Sequence, residues 1–162
     1  MTVRALYPDD WRTVRDLRLA ALRDASEALG AGPDAAEPGT ERYWRGWPAR
    51  GTPLAGFLAA RPVGLVGVVA ANADPGTAQL VALWVAPEAR GVGVGDALVD
   101  AVAGVAREWG CRGLHLEVLT TNVPAIRLYR RHGFVLSGEP PVAPGAVAMR
   151  LALPGHPAAG RG

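Results

Sequence analysis

Lysine is absent from the 162-residue sequence, and all 17 basic residues are arginine. Schiff-base catalysis and the Walker-type phosphate loop both require an ammonium group at a defined position, so both are excluded. The 15 acidic residues are spread along the chain and bring the formal net charge to +2. This near-balance of charge predicts that nucleic acid is not a partner.

Cysteine and long hydrophobic runs are also scarce. Cys111 stands alone, so an internal disulfide is excluded, and we expect it to be a small packed side chain rather than a metal ligand. The longest apolar stretches, such as residues 63–72, fall well short of the roughly 20 residues that span a bilayer. The first dozen residues carry four charges and no continuous apolar segment, which argues against a secretory signal. We therefore expect a cytoplasmic protein with no membrane partner.

What is present is typical of a packed globular protein. Hydrophobic residues make up 49% of the chain and charged residues 20%, and a length of 162 residues suits one domain. We expect this domain to cover residues 1–153. Residues 154–162 form a tail rich in glycine, alanine and proline, which we expect to be disordered.

Apolar periodicity predicts seven strands and four helices. The predicted strands cover residues 2–6, 54–60, 63–72, 77–85, 114–119, 134–137 and 146–153. The predicted helices begin after Pro8, cover residues 40–47, run from a glycine loop to about Gly110, and run from Asn122 to Gly133. Between the second and third strands, Arg61-Pro62 is expected to form a hairpin turn. Because several strands precede the strand-helix alternation, the fold class is mixed α/β (α+β) rather than doubly wound.

Three glycines, Gly91, Gly93 and Gly95, are spaced between the fourth strand and the third helix. At a helix N-terminus, unpaired N–H groups and the positive end of the helix dipole face such a loop, so an anionic diphosphate would fit there. The alternative is a plain flexible turn, since the chain holds 21 glycines. A dinucleotide-binding fingerprint is disfavoured, because Asp96 stands where its third glycine is required.

Two ordered motifs give this loop a specific context. The first is Leu83-Trp84-Val85-Ala86-Pro87 followed by Arg90, Gly93 and Gly95, which resembles the acetyl-CoA signature of the GNAT superfamily. The second resembles the segment after the next strand of that family and comprises Asn122, Ala125, Ile126, Leu128, Tyr129, Gly133 and Phe134. The chain thus resembles a bacterial acetyl-CoA-dependent N-acetyltransferase of unassigned substrate. The resemblance implies a mixed sheet of about seven strands, antiparallel in its first half, splayed between strands 4 and 5, and flanked by about four helices.

Acetyl-CoA is the cosubstrate that the resemblance implies, and no metal is expected. The signature strand would bind the pantetheine arm and the acetyl carbonyl through its backbone, and the glycine loop would bind the pyrophosphate. The implied cofactor-binding residues are Leu83, Trp84, Val85, Arg90, Gly91, Val92, Gly93, Val94, Gly95, Asp96, Asn122 and Tyr129. Asp96 departs from the family, which often has Arg or Lys there, so it should weaken binding unless it points away as a helix-start residue.

The resemblance implies that Tyr129 is the general acid that protonates the departing thiolate, with a core tyrosine as the alternative. A base must deprotonate the acceptor ammonium, and we select Glu117 because strand alternation places it with His115 on a polar face. The segment Leu116-Glu117-Val118 also resembles ribosomal-protein N-terminal acetyltransferases, in which the matching glutamate is the base. The open alternative is a solvated carboxylate, with water taking the proton.

The acceptor is less defined by these patterns. Glu27, Tyr43 and Trp44 are candidates to contact it, through a carboxylate for an ammonium and rings for an apolar or cationic group, although core packing also explains the aromatic residues. We expect a small-molecule amine that attacks acetyl-CoA directly in a ternary complex, and we leave a homodimer open as the assembly. Two alternatives remain: acetylation of a protein N-terminal amine, and a non-catalytic acyl-CoA-binding module.

Overall fold

A computed structural model describes residues 1–29, 39–47, 51–71 and 74–154, without the side chains of residues 25–29. Its seven strands are β1 (Thr2–Ala5), β2 (Thr52–Leu58), β3 (Arg61–Ala70), β4 (Thr77–Val85), β5 (Gly113–Leu119), β6 (Val135–Leu136) and β7 (Ala146–Ala152). The α-helices of these described ranges are α1 (Trp11–Leu29), α2 (Glu41–Gly46), α3 (Val94–Glu108) and α4 (Val123–Arg131). Most of the predicted disordered tail, residues 155–162, lies outside the described residues.

All seven strands belong to one sheet in the order β1-β2-β3-β4-β5-β7-β6. Strands β1 to β4 form an antiparallel meander, and β7 pairs with β5 and β6 in antiparallel orientation. The central pair, β4 with β5, is parallel and short, because it joins Thr77–Gln79 to Gly113–His115 and then opens. The predicted mixed fold, with an antiparallel first half and a splay between the fourth and fifth strands, is confirmed.

Helices α1 and α3 pack on the sheet through apolar stripes. In α1, Trp11, Val14 and Leu17 recur at three-residue steps and are buried, which is the spacing of one helix face. Helix α3 lies across β2, β3 and β4. It approaches so closely that a Cβ atom on Gly64 would lie 3.0 Å from the Leu98 side chain. A glycine is therefore needed there for α3 to seat on the sheet.

The turn between β2 and β3 differs from the prediction. The chain reverses at Ala59 and Ala60, whose φ angles are 46° and 66°, and Arg61 and Pro62 are the first residues of β3. Two positive φ angles match a type I′ hairpin turn, whose twist suits the flanking strands. Asparagine and glycine usually mark this turn and neither is present, so Arg61-Pro62 was the more visible signal. Pro62 is tolerated because it lies at the beginning of a strand.

The C-terminal part extends the sheet beyond the opening. Asn122 caps α4 by accepting a hydrogen bond from the Ala125 N–H at 3.4 Å, and Gly133, with a φ of 92°, follows the helix end. Strand β7 pairs with β5 over its whole length, and the Leu153 N–H donates to the Arg112 carbonyl at 2.9 Å. None of the helices in the described ranges combines the length and hydropathy that crossing a membrane requires.

Candidate active site

The separation of β4 from β5 exposes backbone in the middle of the sheet. After Gln79, no strand of the described residues pairs with the edge of β4 that faces β5. A bulge interrupts β4 in the same region: Gly67 pairs with Val81 and Leu65 with Trp84, so β4 carries one extra residue, and Ala82 has a φ of 56°. The end of β4 therefore carries N–H and C=O groups on this edge that β5 does not pair.

The glycine loop follows this opened strand and ends at the N-terminus of α3. Gly91 and Gly93 have φ angles of 80° and 92°, a conformation that glycine adopts without steric cost. No atom of the residues that the structure describes lies within 4 Å of the position of a Cβ atom on Gly91, so these residues leave this side of the loop open. The first N–H groups of α3 lack intrahelical acceptors and point toward this space. The loop is therefore built to approach an anion closely.

A cleft of about 830 Å³ joins the end of β4, the glycine loop and the first turns of α3 and α4. Its lining includes the predicted cofactor-binding residues Leu83, Trp84, Val85, Arg90, Gly91, Gly93, Val94, Gly95, Asp96 and Asn122. Two predicted residues are not among the described lining residues: Val92, which is exposed on the surface, and Tyr129, which is buried beside the cleft. The motifs around the loop and the N-terminus of α4 thus meet in one cavity.

Asp24 of α1 also reaches this cleft, and no local sequence pattern marks it. Its Oδ2 atom accepts hydrogen bonds from Trp84 Nε1 at 2.9 Å and from Arg90 Nη2 at 2.6 Å. These bonds, from Trp84 first and Arg90 second, lower the pKa of Asp24 below its ordinary value, so it is ionised at neutral pH. Arg90 also donates from Nε to the Val85 carbonyl at 3.0 Å. Arg90 therefore links the glycine loop to both β4 and α1.

Asp96, the acid expected to disfavour anion binding, is turned toward the end of α4. His132 Nε2 lies 2.8 Å and Arg131 Nη2 lies 3.2 Å from Asp96 Oδ1, and His132 Nδ1 lies 3.2 Å from Asp100. The hydrogen bond with His132, followed by that with Arg131, lowers the pKa of Asp96. The carboxylate is thus ionised and partly neutralised by its neighbours, although it still borders the cleft.

Tyr129 lies on α4, two turns after Asn122, and is 5% exposed. Its ring packs against Phe134 with centroids 5.6 Å apart and planes inclined by 60°. Burial raises the pKa of the Tyr129 phenol above its ordinary value of 10.0. The hydroxyl is therefore protonated throughout the neutral range.

Glu117 lies on the opposite face of β5 from the buried side chains of Leu114 and Leu116, as alternation predicted. Its carboxylate is bound by the loop between β6 and β7: the Val142 N–H lies 3.1 and 3.0 Å from Oε1 and Oε2, and the Ala143 N–H donates to Oε1 at 2.9 Å. Glu117 is not among the described lining residues of the cleft. Through these hydrogen bonds Glu117 holds the loop between β6 and β7.

The chain with this cleft is similar in sequence to a known family of enzymes. The Acetyltransferase (GNAT) family model matches residues 11–134. The chain belongs to the GNAT acetyltransferase family. The matched range contains the opened strand, the glycine loop and α4, so the GNAT match covers the whole described lining of the cleft.

Curated acetyltransferases are similar in sequence to this chain over segments shorter than the family match. The streptothricin acetyltransferase of Streptomyces lavendulae is 50% identical over 54 residues, which is 33% of this chain and 29% of that protein. The IAA acetyltransferase of Azospirillum brasilense is 31% identical over 102 residues, which is 60% of this chain and 67% of that protein. The chain therefore spans less than a third of the first relative and about two thirds of the second.

Solved GNAT structures share the fold over nearly the full chain. The ribosomal-protein-alanine N-acetyltransferase from Brucella melitensis superposes with a TM-score of 0.75 at 18% identity, covering 94% of this chain and 100% of that one. The protein yncA from Salmonella typhimurium, solved with its cofactor acetyl-CoA, superposes with a TM-score of 0.76 at 21% identity, covering 100% and 99%. At these identities the likeness establishes the fold alone.

The residues predicted to contact the acceptor amine differ in their burial. Trp44 has no exposed surface and packs in the core, where its ring makes an edge contact with Tyr43 at 4.9 Å. A side chain without accessible surface cannot contact an acceptor, so Trp44 belongs to the core, the alternative left open by the sequence. Tyr43 is half-buried at the surface of α2. The side chain of Glu27 lies outside the described residues.

Proposed function

We propose that this GNAT protein is an N-acetyltransferase that moves an acetyl group from acetyl-CoA to the primary amine of a small molecule by direct attack in a ternary complex. The observation that carries the proposal is the cleft in which the opened end of β4 meets the glycine loop at the N-terminus of α3. The extended pantetheine arm of acetyl-CoA needs backbone hydrogen-bond partners along one side, and the pyrophosphate at its end needs N–H donors.

The residues present fit acetyl-CoA in this cleft. The free backbone edge of β4 around Leu83 to Val85 suits the amide groups of the pantetheine arm, because those amides pair like a neighbouring strand. The open side of Gly91 and the first turn of α3 suit the pyrophosphate. Asn122, at the other wall, borders the same space. We propose that these residues hold the coenzyme with its thioester beside the opening between β4 and β5.

Tyr129 is the proposed general acid. When the amine attacks the thioester carbonyl, the C–S bond breaks and the thiolate of coenzyme A must take up a proton. Burial raises the pKa of this phenol, so it is protonated at neutral pH but is a weaker acid than an exposed tyrosine. The proposed role therefore requires the hydroxyl to hydrogen-bond the departing sulfur and to pass on its proton as the C–S bond breaks. The alternative, a tyrosine that only packs against Phe134, predicts that the hydroxyl is dispensable.

Glu117 is the proposed acceptor of the ammonium proton. A carboxylate has about four lone-pair sites, and the two loop N–H groups leave part of this capacity unused. Glu117 also lies on the side of β5 away from the buried Leu114 and Leu116, where an acceptor can approach the opened sheet. The competing role is purely to hold the loop at Val142 and Ala143, with water taking the proton. These two roles differ in the pH dependence of the rate.

The preference for a small-molecule acceptor rests on the relatives. The two curated relatives described above are named after small molecules, streptothricin and IAA, rather than after proteins. The second candidate, a protein N-terminal amine, is favoured by the glutamate at position 117 and by the fold shared with the Brucella melitensis enzyme. The third candidate is a GNAT module that binds acyl-CoA without transferring the acyl group.

Release of free thiol from acetyl-CoA separates these candidates. The purified chain is given acetyl-CoA with a panel of small amines and a matched panel of short peptides with free N-termini, and thiol release is followed in time. Faster release with particular small amines supports the proposal, and faster release with peptides supports the second candidate. Binding of acetyl-CoA without amine-dependent release in either panel would leave the non-catalytic module. Fragmentation of the product by mass spectrometry shows whether nitrogen carries the acetyl group.

A further inference from the structure

The described lining of the cleft contains three guanidinium groups, on Arg90, Arg127 and Arg131. Arg90 is bound to Asp24, and Arg131 is bound to Asp96. Arg127 is exposed, and within the described part of the chain no hydrogen bond or ion pair engages it. An arginine that borders a cavity without a carboxylate partner is free to bind an anion there.

Arg127 and Arg131 are four residues apart on α4, so they project from the same face of the helix, one turn after the other. That face borders the cleft that the glycine loop also lines. Stabilisation of the helix C-terminus by positive charge explains arginines in the last turn, including Arg130 and Arg131. It does not explain why Arg127 and Arg131 line the cavity, whereas the exposed Arg130 is not among its described lining residues.

We propose that Arg127 and Arg131 bind the phosphate groups of acetyl-CoA, and that Asp96 positions Arg131 for this contact. The inference rests on the proposed function, because it assigns partners to the cofactor of that reaction. In this arrangement α4 supplies the positive charge that the first turn of α3 lacks, since Asp96 stands there instead of a base. The acid then acts on the phosphates through Arg131: its ion pair holds the guanidinium at the rim of the cleft.

The test compares Arg127→Gln and Arg131→Gln with Arg130→Gln as the matched control on the same helix. Binding of acetyl-CoA to each folded variant is measured by calorimetry, with circular dichroism as the check of folding. A charge-assisted hydrogen bond corresponds to a loss of roughly 10- to 100-fold in affinity, which we expect for Arg127→Gln and Arg131→Gln and not for Arg130→Gln. Equal affinities for all three variants and the unmodified chain would overturn the inference, as would an equal loss in Arg130→Gln.

A second probe, acetyl-CoA without its 3′-phosphate, identifies the phosphate that each arginine binds. An arginine that binds the 3′-phosphate loses its effect with this probe, and one that binds the pyrophosphate keeps it. If Arg130→Gln lowers the affinity for both probes as much as the other two substitutions do, the contact is not specific and the inference is contradicted. If the unmodified chain binds neither probe, the proposed function itself fails. If it binds both and the arginine substitutions change nothing, this inference alone fails.

The role of Asp96 is tested by a double-mutant cycle, because its two effects have opposite signs. In the unmodified chain, Asp96→Asn releases Arg131, and we expect weaker binding of acetyl-CoA. In the Arg131→Gln background nothing is left to position, and removal of a negative charge beside the phosphates should strengthen binding. A merely structural role lowers affinity in both backgrounds and simple repulsion raises it in both, so either result would overturn the positioning role.

Discussion

Replacement of Tyr129 by phenylalanine is the sharpest test of the proposed mechanism. The substitution keeps the ring that packs against Phe134 and removes only the hydroxyl, so the fold and the affinity for acetyl-CoA should change little. General acid catalysis contributes about 10² to 10⁴ in rate. The leaving thiolate belongs to a thiol whose pKa is near 8.5 and departs partly unaided, which places the expected fall in kcat at the low end, about 100-fold.

The pH dependence adds a second readout for Tyr129. Because burial raises the pKa of this phenol, proton donation should persist to pH values above about 10, the ordinary tyrosine pKa. The same shift in pKa should affect folding stability, because the folded state holds the Tyr129 proton more tightly than the unfolded state. The resulting stabilisation is complete below about pH 10 and is lost as pH rises through the pKa of the folded state. Tyr129→Phe should therefore lose less stability than the unmodified chain above pH 10.

The measurements are steady-state thiol release with a saturating amine, calorimetric binding of acetyl-CoA, and urea unfolding at pH 8 and above pH 10. Tyr7, which is exposed and distant in sequence, provides the control substitution Tyr7→Phe. An unchanged kcat in a folded Tyr129→Phe variant would refute the assignment of the acid and leave Tyr129 as a packing residue. A large loss of acetyl-CoA affinity with unchanged kcat would make it a binding residue instead.

Two further predictions concern Glu117 and the β2–β3 hairpin. If Glu117 is the base, Glu117→Gln should reduce the rate most near neutral pH and less as pH approaches the amine pKa of about 10.4; a pH-independent loss in the rate profile would indicate loop positioning. Replacing Ala59-Ala60 by Asn-Gly should raise the free energy of unfolding by about 1 kcal/mol, because these residues tolerate positive φ; an unchanged urea midpoint would argue against the type I′ turn.

The glycine loop and α4 could be predicted because their signals are local. Gly91 and Gly93 adopt positive φ angles between a strand and a helix that follow directly in the chain, so a few adjacent residues encode the geometry. The cap at Asn122 likewise involves a residue three positions away. The hairpin at Ala59 and Ala60 was missed for the same reason, since alanine carries no local signal for the conformation that the strand pairing imposes.

Other parts of the site depend on contacts between distant segments. Asp24 meets Arg90 across 66 positions, and Asp96 meets His132 across 36, so no spacing rule connects them. The hydrogen bonds of Glu117 to Val142 and Ala143 also depend on how β7 returns along β5. Electrostatic neutralisation of Asp96 and engagement of the Glu117 carboxylate are consequences of this packing.

The sequence by itself determined the family, the mixed α/β class, and the position of the glycine loop between a strand and the N-terminus of a helix. The tertiary structure decided which side chains share a cavity, which carboxylates already have partners and which arginines remain available to the ligand. The physical reason is that backbone conformation responds to neighbours within a few residues, whereas charge compensation and burial depend on distances that are set only when the sheet and helices pack together.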